Sequence, residues 1–229
     1  MAEWLYIDSC SIADLYAVAV ALDYAEDKKR IVRTTIASEL LSSHPMIEEI
    51  GFPSPQDTLV ELSVDNSLPF DLRVEKFVYS IGGKFQPKEE YRLNYTIRHP
   101  NVLERIANEK VALLYLKDDR SNPIDLLFVD EVCRILMSRG IKFASVGDSI
   151  IPCIRGTLDL RGILTLPEVL GAINSASFLV TNQDDFASYA CIQKVHSYCI
   201  EQSKDAISCN GEVILSPGQL SNMVFKNSI

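Results

Sequence analysis

Three short stretches carry residue types that could do chemistry. The first is Asp8-Ser9-Cys10-Ser11-Ile12-Ala13-Asp14, which puts a carboxylate just past an apolar run and early in a helical pattern. Such an acid is either a solvated first-turn residue favoured by the helix dipole or a general base projected from a strand end. The second is Lys117-Asp118-Asp119-Arg120-Ser121-Asn122-Pro123, again after an apolar run. Two cations in one turn can clamp a diphosphate, Arg in bidentate fashion and Lys as a point charge. The plainer alternative is a solvated turn with internal ion pairs. The third is Thr181-Asn182-Gln183-Asp184-Asp185, opening a helix. Free backbone N–H groups at such an opening attract anions, although Asp184 and Asp185 oppose a bound phosphate and could merely cap the helix. Gly147 closes a further apolar run and belongs with these loops.

The surrounding pattern says what must position them. Trp4–Asp8, Ile31–Ile36, Thr58–Val64, Val111–Leu116, Ile141–Gly147, Phe178–Thr181 and Val195–Ile200 read as short strands. Helical patterns over Ser11–Glu26, Ala37–Ser43 and Asp71–Ile81 alternate with them, as does one ending at Arg139-Gly140. Thr165-Leu-Pro-Glu168 is a capping box opening a helix to about Ser175, and Ser216-Pro-Gly-Gln219 predicts a C-terminal helix. Strand–helix alternation of this kind implies parallel βαβ units. Open sheets of that class bind ligands outside the carboxyl ends of their strands, at the loops already singled out. The expected fold is α/β: two small Rossmann-like domains, residues 1–100 and 101–229, with parallel sheets facing across a cleft and the boundary in the polar stretch Lys84–Asn108.

Composition narrows the classes. The chain has 229 residues, 47% hydrophobic and 23% charged, with a net charge of −9. That is globular, and it disfavours a generic nucleic-acid binder. One local exception is basic and aromatic: Arg73 to Arg105 holds Lys76, Lys84, Lys88, Arg92 and Arg98 along with Tyr79, Phe85, Tyr91 and Tyr95. No apolar run is long enough to span a bilayer, and Met1-Ala2-Glu3-Trp4 lacks the features of a signal peptide, so a cytoplasmic protein is expected. The six cysteines and three histidines show no metal-ligand spacing. Buried, reduced cysteines and no metal are the expectation.

The loops, in this order, resemble those of the lipopolysaccharide heptosyltransferase-like glycosyltransferases (glycosyltransferase family 9, GT-B fold). Ile12-Ala13-Asp14 stands where that family has an Ile-Gly-Asp turn. Leu40-Leu-Ser-Ser-His-Pro45-Met-Ile-Glu48-Glu49-Ile50 is similar to its Leu-Leu…Pro phrase. Lys117 to Pro123 is similar to its basic-Asp-Asp-Lys-x-Trp-Pro loop. Leu158-Asp-Leu-Arg-Gly162, Leu166–Ile173 and Phe178-Leu-Val-Thr-Asn182 continue the match. Where the family has Asp-Ser/Thr-Gly-x-x-His, this chain reads Gln183-Asp184-Asp185-Phe186-Ala187-Ser188.

The resemblance implies transfer of a sugar from a nucleotide-diphosphate sugar to an acceptor hydroxyl of a glycan or other molecule, with inversion and without metal or further cofactor. Asp14 would be the catalytic base. Lys117, Arg120, Gly147, Asn182, Gln183, Asp184 and Asp185 would serve the donor on the C-terminal half, and Ser9 and Ser11 the acceptor on the N-terminal half. Two alternatives remain open at this stage. A phage-type enzyme could glycosylate a hydroxylated DNA base, using the 73–105 stretch as its DNA face. A non-catalytic nucleotide-sugar-binding or interaction protein could use the same fold.

Overall fold

The structure is a computed structural model, which describes residues 2–7, 11–33, 39–42, 44–63, 68–88, 91, 95, 97–117, 125–147, 153–200 and 212–214. The chain divides into two compact units, Met1–Ile97 and Arg98–Ile229.

The first unit runs β1 (Glu3–Ile7), α1 (Ile12–Leu22), β2 (Lys29–Val32), β3 (Ile47–Gly51), β4 (Thr58–Leu62) and α2 (Phe70–Ser80). Its strands lie in the order β3-β2-β1-β4, all parallel. The central helix explains the fold locally. Every residue of α1 is buried, so its run of Ala, Val and Leu is apolar on all sides, as a helix enclosed by its surroundings must be. Ser11 caps it, its Oγ accepting from the Asp14 N–H at 3.4 Å. Tyr16 is fully buried in α1, stacks on Phe70 of α2 at 5.2 Å and donates its hydroxyl to the Tyr91 carbonyl.

The second unit runs α3 (Pro100–Asn108), β5 (Ala112–Tyr115), α4 (Leu126–Ser138), β6 (Phe143–Val146), β7 (Leu158–Asp159), α5 (Leu166–Ser175), β8 (Leu179–Thr181), α6 (Asp184–Ile192), β9 (Ser197–Ile200) and β10 (Glu212–Ile214). The sheet order is β10-β9-β8-β5-β6-β7, all parallel. Counted within the unit, that is the 3-2-1-4-5-6 order of a dinucleotide-binding sheet, and the first unit carries its 3-2-1-4 part. The four strands at the centre, β5, β6, β8 and β9, are covered so fully that they read as apolar runs rather than alternating ones. Between them and α4 the core collects Leu114, Val129, Val132, Cys133, Leu136, Phe143, Phe178, Val180 and Tyr198.

The α/β class and the parallel βαβ units are those expected. The strands β3, β7 and β10 and the helix α3 were not expected. Residues 39–41 are helical within the span predicted for a second helix. The Thr165 capping box forms, with the Thr165 N–H donating to Glu168 Oε2 at 3.0 Å. The Ser216–Gln219 box lies outside the described residues. Among the described cysteines, Cys133 and Cys199 are buried as expected, but Cys191 is half-buried and Cys153 is exposed. Burial and the nearby Asp130 push the Cys133 thiol up to about 12, so it stays a protonated core side chain.

Candidate active site

In each unit the strand order reverses beside the first strand, and the chain therefore leaves two adjacent strands in opposite directions at their carboxyl ends. In the first unit those strands are β1 and β4, followed by α1 and α2. Asp14 stands in the first turn of α1 and is fully buried. Arg73, in the first turn of α2, donates from Nη1 to Asp14 Oδ1 at 2.9 Å. Its Nε donates to the Leu68 carbonyl at 2.8 Å, which fixes the guanidinium from its other side. A carboxylate out of water requires such a partner, because the cost of dehydrating it is several kcal/mol. Ser11 is the cap of α1, next to Asp14 in space. Ser9, with Asp8, lies outside the described residues.

In the second unit the reversal falls between β5 and β8, paired in register as Leu113 with Leu179, Leu114 with Val180 and Tyr115 with Thr181. Beyond the last pair the backbones part, and Asn182 continues the contact with its side chain. Its Oδ1 accepts from the Lys117 N–H at 3.0 Å, and its Nδ2 donates to the Lys117 carbonyl at 2.8 Å. Both groups of one peptide residue are thus satisfied by one amide. The Lys117 side chain is exposed. Gln183 is the N-cap residue of α6; its own N–H donates to Thr181 Oγ1 at 3.0 Å and its Nε2 to the Asn182 carbonyl at 3.1 Å. Asp184 and Asp185 are the first two helical residues, so neither is the cap. Arg120 lies outside the described residues.

Gly147 sits just past β6 with φ of +96°, and a Cβ there would stand 2.8 Å from Tyr115 Cε2. The close approach at this glycine is made by the Tyr115 ring. That ring stacks on Phe186 of α6, centroids 3.8 Å apart. Strand ends β5 and β6 and the first turn of α6 are thereby packed together by two aromatic side chains and a glycine.

A further buried carboxylate lies at the start of the second unit. Glu168 is fully buried, and its Oε1 accepts from the backbone N–H groups of Arg98 and His99, each at 2.7 Å. Its Oε2 accepts from the Thr165 N–H and hydroxyl, each at 3.0 Å, and His99 Nδ1 lies 3.1 Å from Oε1. Burial pushes this carboxyl up, but the bonds from Thr165 and His99 outweigh it and hold the group at about 2.

Sequence reasoning read Glu168 as a cap alone and Arg73 as one member of a basic stretch. Four cations of that stretch meet partners within their own unit: Arg73 meets Asp14, Lys84 the exposed Glu26 at 3.9 Å, Arg105 Glu109 at 2.9 Å, and Lys88 the face of the Tyr24 ring at 4.7 Å. Among the described residues no cluster of three or more His, Cys, Asp or Glu could hold a metal ion, and no helix is long and apolar enough to cross a membrane.

No protein-family model matches the sequence, and no curated protein matches it. Solved structures do match in three dimensions. Escherichia coli heptosyltransferase WaaC with ADP superposes with a TM-score of 0.67 at 11% identity, over 99% of this chain and 98% of that one. E. coli ADP-heptose LPS heptosyltransferase II gives 0.61 at 11%, over 98% of both chains. A family 9 glycosyltransferase from Veillonella parvula gives 0.59 at 9%, over 98% of this chain and 91% of that one. The likeness runs through both units and both sheets, and the chain has the fold of these glycosyltransferases.

Proposed function

We propose that the chain is a glycosyltransferase that moves a sugar from a nucleotide-diphosphate sugar to an acceptor hydroxyl, with inversion and without a metal ion. The observation that carries this is the Rossmann-type order of both sheets, with Asp14 and Lys117 each at the strand reversal of its own unit. The full-length likeness to structures named as heptosyltransferases, one of them with ADP, supports the donor class.

The chemistry assigned to the residues is a single displacement. Asp14 takes the proton of the acceptor hydroxyl as its oxygen bonds to the anomeric carbon. The bond from that carbon to the diphosphate oxygen breaks, and the diphosphate leaves with the electron pair. Lys117 meets the growing charge, with Arg120, three residues on in the sequence, as its partner and the N–H groups opening α6 as dipoles. One backside displacement inverts the centre. Arg73 supplies the counter-charge that keeps Asp14 in place. Because Asp14 is fully buried, the acceptor must displace what covers it.

That burial favours a second reading, in which the Asp14–Arg73 pair is a structural strut in a non-catalytic binding protein. Asp14→Asn separates the two. Under the proposal, transfer to a hydroxyl acceptor falls about 10²–10⁴-fold while ADP affinity stays near wild type. Equal turnover in the variant removes Asp14 from the mechanism. No turnover from the wild-type chain with a panel of nucleotide sugars and acceptors, with a lowered melting temperature in the variant, supports the strut.

A further inference from the structure

We propose that Asn182 is a positioning residue that aims Lys117 at the donor's diphosphate rather than touching the donor itself. The inference rests on the reading of Lys117 as the donor's cation. Its own basis is the pair of bonds from one amide to the N–H and the carbonyl of Lys117, at 3.0 and 2.8 Å, made 65 residues apart in sequence. They lie just beyond the last β5–β8 pair, Tyr115 with Thr181, and join Lys117, two residues past Tyr115, to Asn182, one residue past Thr181.

An amide that fills both backbone groups of Lys117 has its own carbonyl oxygen and one N–H committed to them. It restrains the φ and ψ of Lys117, and so the direction in which the Cα–Cβ bond of this exposed residue leaves the loop. A lysine carries one of the largest rotamer entropies of any side chain, so a binding site gains when at least the root of that side chain is held. The geometry needs an amide. A carboxylate of the same shape offers two acceptors and no donor, so it would face the Lys117 carbonyl with like partial charge. The neighbouring bonds build the same frame, Gln183 N–H to Thr181 Oγ1 and Gln183 Nε2 to the Asn182 carbonyl, at 3.0 and 3.1 Å. The loop after β8 is thereby fixed internally before it reaches across to β5.

The test is a calorimetric titration with ADP, repeated with UDP, on the wild-type chain, Lys117→Ala, Asn182→Ala, Asn182→Asp and the Lys117→Ala/Asn182→Ala double variant. The expected result is about tenfold weaker nucleotide binding in Lys117→Ala and in each Asn182 variant, the scale of one hydrogen-bond contribution. The double variant then binds no more weakly than Lys117→Ala, because Asn182 acts only through that lysine. Losses that multiply to about a hundredfold in the double variant overturn the inference, since Asn182 would then hold the donor independently. Unchanged binding in both Asn182 variants overturns it too. Unchanged binding in Lys117→Ala, or no binding of either nucleotide to the wild-type chain, instead overturns the reading of Lys117 and the inference with it. A merely structural role would leave the two losses additive, and thermal unfolding recorded on every variant shows that each is folded at the titration temperature.

Discussion

At the strand reversal of the first unit a fully buried carboxylate meets a half-buried guanidinium; at that of the second, a neutral amide binds two backbone groups. Asp14 is fully buried against Arg73, whereas Lys117 is exposed and Asn182 half-buried. Both join the element after the first strand to the element after the strand on its other flank. The energetic consequences differ. A buried ion pair gains little over an apolar pair of the same shape, but losing one partner strands a charge in a dry interior. A surface amide clamp is worth about 0.5–1.5 kcal/mol and strands nothing when lost. The first device makes its unit intolerant of change at two positions. The second holds the backbone of Lys117 and leaves its exposed side chain outside the lock.

The sharpest way to break this contrast is Arg73→Ala. Removing the guanidinium leaves the Asp14 carboxylate buried without it, and unfolding free energy should drop by about 3–5 kcal/mol. Changing both residues to leucine should restore most of that loss. Urea titrations of the three proteins decide it, and a silent Arg73→Ala would mean that the pair is not shielded from water.

Glu168 offers a second measure, of comparable size but dependent on pH. Its carboxyl is held at about 2 against an ordinary 4.5. The folded value is the lower one, so the group stabilises the fold above about pH 4.5, and the contribution disappears as pH falls through about 2. The difference amounts to about 3 kcal/mol. Wild type and Glu168→Gln should therefore differ most near neutrality and converge in acid. Parallel stability-against-pH curves for the two proteins would refute the assignment.

Backbone shape gives smaller effects. Gly147→Ala forces a Cβ to within 2.8 Å of the Tyr115 ring at a φ of +96°, while Gly140→Ala at +86° meets nothing within 4 Å. The first should cost about 1–3 kcal/mol through overpacking added to backbone strain, the second about 1 kcal/mol through strain alone. Equal melting temperatures in the two variants would show that Tyr115 moves aside freely. Asn182→Ala, similarly, should shift stability by no more than about 1.5 kcal/mol, well below Arg73→Ala. A larger loss would place the second unit's clamp in the same class as the first unit's ion pair.

These devices were unequally legible. The helix α1 announces itself by a serine cap followed by residues rich in Ala, Val and Leu, unbroken from Ala17 to Leu22, and α5 by Thr165 and Glu168 three residues apart. The strand β3 does not, because Ile47-Glu48-Glu49-Ile50-Gly51 follows neither an alternating nor a continuous apolar pattern. It lies at the sheet edge, and Arg30 of β2 reaches both glutamates, at 3.0 and 3.5 Å, so charge across strands supports what periodicity does not. The helix α3 buries only Ile106 and begins at Pro100, so it reads as polar connector. Asp14 was identifiable from its place after a strand. Its partner was not, because 59 residues separate it from Arg73 and the intervening topology decides which cation arrives. The clamp at Asn182 was hidden for the same reason, and the sequence showed only a loop residue near a helix start.

Glu168 also sets where the chain opens in time. Junctions between compact units are usually among the first backbone to exchange its amide hydrogens or meet a protease. Here the amides of Arg98 and His99, the first residues of the second unit, both end on a carboxylate anchored in the first turn of α5. They should exchange with deuterium at the pace of α5. A fragment that begins at Arg98 or earlier keeps the two residues whose backbones Glu168 binds. One that begins at Pro100 leaves that oxygen in the core without either, and its solubility would record how much of the unit those two amides hold together.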